Sequence, residues 1–205
     1  MTTKLHTIGR TLATIALITT LTAAAPVLAG DDEGYESLRN RKGLLVGVNA
    51  GWGASMFSEK VGSRTFSDDP YSGAVAAVRF GYAFNDALAL SAEAHGFGSQ
   101  AGQSDWGMGA GLLVLTWWPR GGGLFVRAGV GAGGGEVLMR EDGEILHFEG
   151  KAAGMFGIGY EWMVGRNLGL SLVADGLGID LDGISGRTDD VTGSSSISVQ
   201  LNWYL

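Results

Sequence analysis

One stretch of the chain decides the fold: Ile197-Ser-Val199-Gln-Leu201-Asn-Trp203-Tyr-Leu205. Its odd positions are all apolar, and the even positions from Ser196 to Asn202 are all polar. A period of two residues is that of a β-strand whose two faces meet different surroundings. Because the alternation continues to the last residue, we expect the sheet to close with this strand.

The same alternation recurs in seven earlier segments, each long enough for a tilted strand to cross a bilayer. The eight predicted strands are 44–54, 73–84, 87–98, 106–118, 124–135, 151–163, 168–180 and 195–205. Connections are short after the second, fourth and sixth strands and longer after the first, third, fifth and seventh. This layout is typical of outer-membrane barrels. The sequence therefore predicts an all-β fold, an eight-stranded antiparallel up-and-down transmembrane β-barrel.

The first 29 residues have the pattern of a secretory signal peptide. Lys4 and Arg10 precede the uncharged, mostly apolar stretch 11–24, and a small-residue site follows at Ala29. The apolar stretch is shorter than the ~20 residues that a transmembrane helix needs. We expect a cleaved signal peptide at 1–29, a short exposed periplasmic lead at 30–43 and the barrel at 44–205, which places the mature protein in the outer membrane.

Composition narrows the functional classes. The net charge of −7 argues against a nucleic-acid partner. The chain has no cysteine, which excludes disulfides and thiol chemistry. It has 36 glycines, and many of them fall on the polar faces of the predicted strands. The interior of an eight-stranded barrel is crowded, so residues with little or no side chain fit there well. Glycines on the polar face therefore indicate that this face points into the lumen.

Charged residues on the polar faces are few and of both signs, as expected for a lumen in which buried charges pair. The predicted polar network of the lumen consists of Arg79, Glu93, His95, Arg127, Glu161 and Asp175. Aromatic residues lie near strand ends, as in the aromatic belts at membrane interfaces. The predicted belts consist of Trp52 and Trp106 at one end and Tyr82, Trp118, Trp162 and Trp203 at the other.

The fourth predicted strand fits this pattern poorly. If Gly107, Gly109 and Gly111 face the lumen, then Leu113, Leu115 and Trp117 face it too. Either a β-bulge shifts the phase midway, or these side chains form an apolar plug in the lower lumen. We favour the plug.

The sequence resembles the small Gram-negative outer-membrane β-barrels of the OmpA/OmpX/opacity-like group. The resemblance is carried by the terminal strand, by Phe125-Val-Arg127-Ala-Gly129-Val-Gly131 and by Gly157-Ile-Gly159-Tyr-Glu161. It implies partners in outer-membrane lipid, lipopolysaccharide and the barrel-assembly machinery, and a monomer. That machinery would recognise the terminal strand, here Val199, Leu201, Trp203 and Leu205, although members of the group usually end in an aromatic residue.

Ser91, Glu93 and His95 share one face of the third strand and suggest a hydrolase, because some barrels of this class deacylate lipid A. Residues two apart on a strand are ~6.5–7 Å apart, whereas a nucleophile and its base need about 3 Å. We interpret the three as polar filling of the lumen, with Glu93 paired to an arginine.

Glycines 129–135 are not followed by a helix and so do not form a phosphate loop. We expect no metal and no cofactor.

The sequence therefore predicts a non-catalytic, porin-like envelope protein with a structural or surface-interaction role and a largely plugged lumen. The first alternative is a narrow channel for a small solute or an apolar molecule. The second is a lipid-modifying hydrolase.

Overall fold

The computed structural model describes residues 41–61, 64–67, 70–101, 104–139, 144–181 and 190–205. The predicted signal peptide and residues 30–40 of the predicted lead lie outside the described residues. The strands are β1 Gly43–Val61, β2 Arg64–Ser67, β3 Tyr71–Asn85, β4 Leu88–Ala101, β5 Ser104–Trp117, β6 Leu124–Met139, β7 Glu144–Met163, β8 Leu168–Leu181 and β9 Asp190–Tyr204. A single 3₁₀ turn, Pro119–Gly121, lies between β5 and β6.

The sheet closes into a barrel of eight antiparallel strands. Each of β3 to β8 pairs with the next strand in the chain, and β1 pairs with both β3 and β9. The short β2 pairs with the last four residues of β1, from Ser58 to Val61. At the closure, the backbone N–H groups and carbonyl oxygens of Leu44 and Leu205 exchange hydrogen bonds of 2.9 and 2.7 Å. The all-β up-and-down barrel is confirmed.

The two ends of the barrel differ. At one end, which we call the turn end, lie Gly43, Leu205 and the connections that follow β3, β5 and β7. Asn85 Oδ1 accepts a 2.8 Å hydrogen bond from the Ala87 N–H and tightens the first of these turns. At the other end, the loop end, the strands run further than predicted. β1 continues to Val61 and β7 begins at Glu144, because backbone pairing with the neighbouring strands continues beyond the residues that alternate in polarity.

The terminal strand has the predicted faces. Ser196, Ser198, Gln200 and Asn202 point inward and are buried, and Tyr204 joins them. Ile197, Val199, Leu201, Trp203 and Leu205 point outward.

The prediction for β5 is wrong. Its register with β4 and β6 is continuous over Ser104–Trp117, so no bulge shifts its phase. Leu113 is 54% exposed on the outer face, and Leu115 and Trp117 face outward with it. The even residues face the lumen instead, because Leu112 pairs with the inward Glu93 and Thr116 pairs with the inward Arg127. Gly107, Gly109 and Gly111 therefore face outward.

The lumen is filled in three layers along the strands. A turn-end cluster comprises Leu45, Ala83, Ala89, Trp118, Phe125, Met163, Val173 and Tyr204. A loop-end cluster comprises Val75, Phe97, Met108, Ala110, Leu112, Val114, Ala153, Met155, Leu177 and Ile179. Charged side chains lie between the two clusters. Along β8, for example, the lumen-facing residues from the turn end towards the loop end are Val173, Asp175 and Leu177.

Candidate functional site: the charged interior of the barrel

Arg127 on β6 is the centre of the charged interior. Its Nε and Nη2 atoms donate to the two carboxylate oxygens of Asp175 on β8, at 2.7 and 2.5 Å. Its Nη1 atom donates to Glu93 Oε2 on β4 at 3.2 Å and to Gln200 Oε1 on β9 at 3.1 Å. One guanidinium group thus joins three strands that are not neighbours of β6, in the bidentate geometry that favours arginine over lysine.

A glycine makes this arrangement possible. The Arg127–Asp175 pair spans the intervening strand β7 at Gly157, which pairs with Arg127 on one side and Asp175 on the other. A Cβ atom at Gly157 would lie 2.1 Å from Asp175 Oδ1 and 3.2 Å from Arg127 Cγ. Gly169 similarly leaves room for the carboxylate of Glu161, to which an added Cβ would come within 2.7 Å.

Glu161 on β7 is the second centre. Its carboxylate accepts from Asn202 Nδ2 at 2.7 Å, from the Tyr204 hydroxyl at 2.9 and 3.1 Å, and from Ser171 Oγ at 3.4 Å. Arg41 Nε donates to it at 2.6 Å. Gln200 Nε2 donates to Asn202 Oδ1 at 3.0 Å and so joins this centre to that of Arg127.

Arg41 is the member that the sequence analysis missed. It was expected to lie in an exposed lead, but its side chain is fully buried. Its Nη1 atom donates to the carbonyl oxygens of Asp86 and Gly121, and its guanidinium carbon lies 4.8 Å from the ring centroid of Trp118. No local pattern predicts this, because Arg41 and Glu161 are 120 residues apart in the chain.

Arg79 on β3 donates through Nη2 to Ser91 Oγ and Thr116 Oγ1, both at 3.2 Å. All six residues of the predicted lumen network are buried inside the barrel. Within the described chain, three buried arginines (41, 79 and 127) face three buried carboxylates (93, 161 and 175), so their formal charges balance. Arg41 pairs with Glu161, and Arg127 pairs with Asp175 and Glu93, which is what allows these charges to be buried. Arg79 is held by hydroxyl groups instead, and its Nε and Nη1 atoms have no hydrogen-bond partner among the described residues.

Ser91, Glu93 and His95 do not form a catalytic triad. Glu93 pairs with an arginine, as predicted, and His95 Nδ1 lies 3.4 Å from Glu93 Oε1. Ser91 Oγ instead accepts from Arg79 and approaches the Val114 carbonyl oxygen at 3.5 Å. Without a serine–histidine hydrogen bond the arrangement has no activated nucleophile. In the part of the chain that the structure describes, no group of three or more histidine or acidic side chains is placed to hold a metal ion.

Comparison with solved structures identifies the architecture. The barrel is similar to the crystal structure of Neisserial surface protein A (NspA), with a TM-score of 0.58 and 13% sequence identity over 82% of this chain and all of that chain. The fold is that of a small outer-membrane β-barrel. It is also similar to Ail, the attachment invasion locus protein of Yersinia pestis, with a TM-score of 0.50 and 12% identity over 78% of this chain and 99% of that chain. No protein-family model matches the sequence, and no curated protein matches it.

The outer surface of the barrel carries four of the six predicted belt residues. Trp52, Tyr82 and Trp203 are exposed, and Trp162 is partly exposed and packs against Tyr160 at 4.9 Å between ring centroids. These four remain a prediction as membrane belts.

Two of the predicted belt residues are misplaced, because both are even residues at the inward phase of β5. Trp118, just beyond β5, is 1% exposed and packs on Phe125 in the turn-end cluster. Trp106 packs against the loop-end cluster, and its Nε1 atom donates to Ser55 Oγ at 3.2 Å. Neither ring is available to a membrane interface.

Proposed function

We propose that this protein is a non-catalytic outer-membrane β-barrel with a closed lumen, and that it serves the envelope as a structural or surface-interaction protein. The observation that carries the proposal is the filling of the lumen by two apolar clusters with a charge-balanced network between them. A chain of salt bridges alone would still admit water. Here apolar clusters lie on both sides of the network, and polar side chains beside them, such as Arg41 at the turn end and Thr192 at the loop end, are buried, so the described part of the lumen has no open aqueous path.

The outer face supports the membrane location. It carries large apolar side chains that are exposed in the isolated barrel, among them Phe80, Leu115, Phe156, Leu172 and Val199. An exposed apolar surface of this extent needs a nonaqueous surrounding. Within the described residues, no helix is long and apolar enough to span a membrane. In this proposal the turn end faces the periplasm, and outer-membrane lipid and lipopolysaccharide surround a monomer that the barrel-assembly machinery inserts.

A surface-interaction role is included because one fold neighbour is named a surface protein and another an attachment invasion locus protein. At 13% and 12% identity these neighbours show the fold alone, so their names suggest the role for this chain without establishing it.

Planar-bilayer recording tests the closed lumen. The refolded full chain is inserted in amounts confirmed by its heat-dependent gel shift, and the expected result is a membrane with no discrete current steps. Resolved small steps would overturn the closed barrel in favour of a narrow channel.

Protease treatment of intact cells tests the orientation. Cleavage should occur in the connection between β8 and β9, and cleavage confined to Asn85–Asp86 or to residues 164–167 would invert the barrel.

A catalytic role is tested separately. The refolded barrel is incubated with lipopolysaccharide, and released fatty acid is sought by mass spectrometry. We expect none. Release that disappears in a His95→Ala variant would contradict the non-catalytic proposal.

A further inference from the structure

Arg41 lies across the turn-end opening of the barrel. The chain reaches the barrel at β1, yet Arg41 contacts the turn after β3 through Asp86, the turn after β5 through Gly121, and β7 through Glu161. Its backbone N–H also donates to Asp86 Oδ1 at 3.1 Å. In the strand order of this barrel, β1 and β6 lie on opposite sides of the ring. Arg41 directly precedes β1 yet contacts β7 and the turn before β6, so its side chain must cross the opening.

We propose that Arg41 is a removable closure of the turn end. Withdrawing it admits water to Glu161, which lies beside Tyr204 of the turn-end cluster, while the barrel wall and the apolar clusters stay in place. The proposal rests on the closed lumen proposed above and adds the residue that controls access from this end. The loop-end cluster would still separate the opened interior from the other side, so the expected change is solvent access and not conduction.

Two features make the closure removable. Arg41 precedes β1, and the pairing of β1 with β3 and β9 begins only at Gly43 and Leu45. Its departure therefore breaks no ladder hydrogen bond. Glu161 also keeps the donors Asn202, Tyr204 and Ser171 after Arg41 leaves, so the buried carboxylate stays hydrogen-bonded. The neighbouring Lys42 is exposed and has no part in the closure.

Cysteine labelling tests the proposal, because the natural sequence contains no cysteine. Ser171 is buried beside Glu161, so a Ser171→Cys substitution gives a nearly isosteric reporter behind Arg41. The full chain is refolded into lipid vesicles and treated with a small, charged methanethiosulfonate. We expect slow modification with Arg41 present and modification at least about tenfold faster in Arg41→Ala, as the open state becomes dominant.

Two matched variants distinguish solvent access at the turn end from a general destabilisation of the barrel. Lys42→Ala removes an adjacent exposed cation and should leave the rate at the value for Ser171→Cys alone. An Ala153→Cys reporter in the loop-end cluster should stay slow in both the Arg41 and the Arg41→Ala backgrounds. If Arg41→Ala fails to show the gel shift of a folded barrel, the double variant Arg41→Ala/Glu161→Gln removes the unpaired charge and is used in its place.

Equal labelling of Ser171→Cys with and without Arg41 would overturn the closure, as would equal acceleration at Ala153→Cys or by Lys42→Ala. Current steps from the unmodified protein would overturn the closed lumen instead, so the two failures are distinguishable.

Discussion

Replacing Arg127 with methionine should destabilise the barrel strongly. Methionine occupies a similar volume, but it leaves Asp175 without a salt-bridge partner and removes the ion pair between Arg127 and Glu93. Both carboxylates are buried. Removing one partner of a buried ion pair costs about 3–5 kcal/mol, because the other charge remains in a medium that solvates it poorly. We therefore expect the free energy of unfolding to fall by about 3–5 kcal/mol. With a urea dependence of about 2 kcal/mol per molar, the midpoint would fall by about 1.5–2.5 M.

Urea unfolding of the refolded barrel in lipid vesicles, followed by tryptophan fluorescence, measures this. Arg166→Met is the matched control, because Arg166 is exposed in the turn after β7 and should change stability by less than about 0.5 kcal/mol. Adding Asp175→Asn to Arg127→Met should recover part of the loss, since it removes the charge left unpaired. A loss below about 1 kcal/mol in Arg127→Met, or no recovery in the double variant, would refute a dry, paired interior.

Three further predictions concern single positions. Gly157→Ala should lower stability by about 1.5–3 kcal/mol in the same assay, because the new Cβ would displace Asp175 from its charged hydrogen bonds. Gly154→Ala on the same strand, where a Cβ meets nothing within 4 Å, should be neutral or slightly stabilising, and equal losses would contradict the argument. Gly43→Ala should cost at least about 1–3 kcal/mol and reduce the fraction with a folded gel shift, since Gly43 has φ +121° and its Cβ would lie 2.1 Å from the Leu205 carbonyl oxygen. Normal folding would contradict this. Leu205→Phe, on the exposed outer face, should leave the fold unchanged and membrane insertion no slower, and slower insertion would count against the terminal strand as the assembly signal.

The strand pattern was predictable where the two faces meet different surroundings. β9 has a polar inner face and an apolar outer face, so its period of two sufficed to predict both faces correctly. The predicted strand ends were several residues short at the loop end, as at Glu144 and Val61. Apolar alternation reports where a strand meets lipid, whereas hydrogen bonding carries the strand further, so the pattern ends before the strand does.

Which face of β5 points into the lumen was not predictable from its own residues, because the strand is apolar on both faces from Leu112 to Leu115. Its neighbours decide it. Residues that pair across antiparallel strands point to the same side, so the inward Glu93 and Arg127 turn Leu112 and Thr116 inward. The one sequence signal was Thr116, a polar side chain on the even face. Using it required the register of the β5–β6 hairpin, which the sequence alone leaves open.

Glycine was the signal given too much weight. Gly157 lies inside the barrel because a charged pair passes over it, whereas Gly111 lies outside with nothing within 4 Å of where its Cβ would be. The two look alike in the sequence, since each alternates with larger apolar residues. What separates them is the cross-strand partner: Gly157 is flanked by Arg127 and Asp175, and Gly111 by Ala94 and Ala132. The face of a glycine in this barrel therefore follows that of its cross-strand partners: Gly159, which pairs with the inward Phe125 and Val173, also faces the lumen although neither partner is charged.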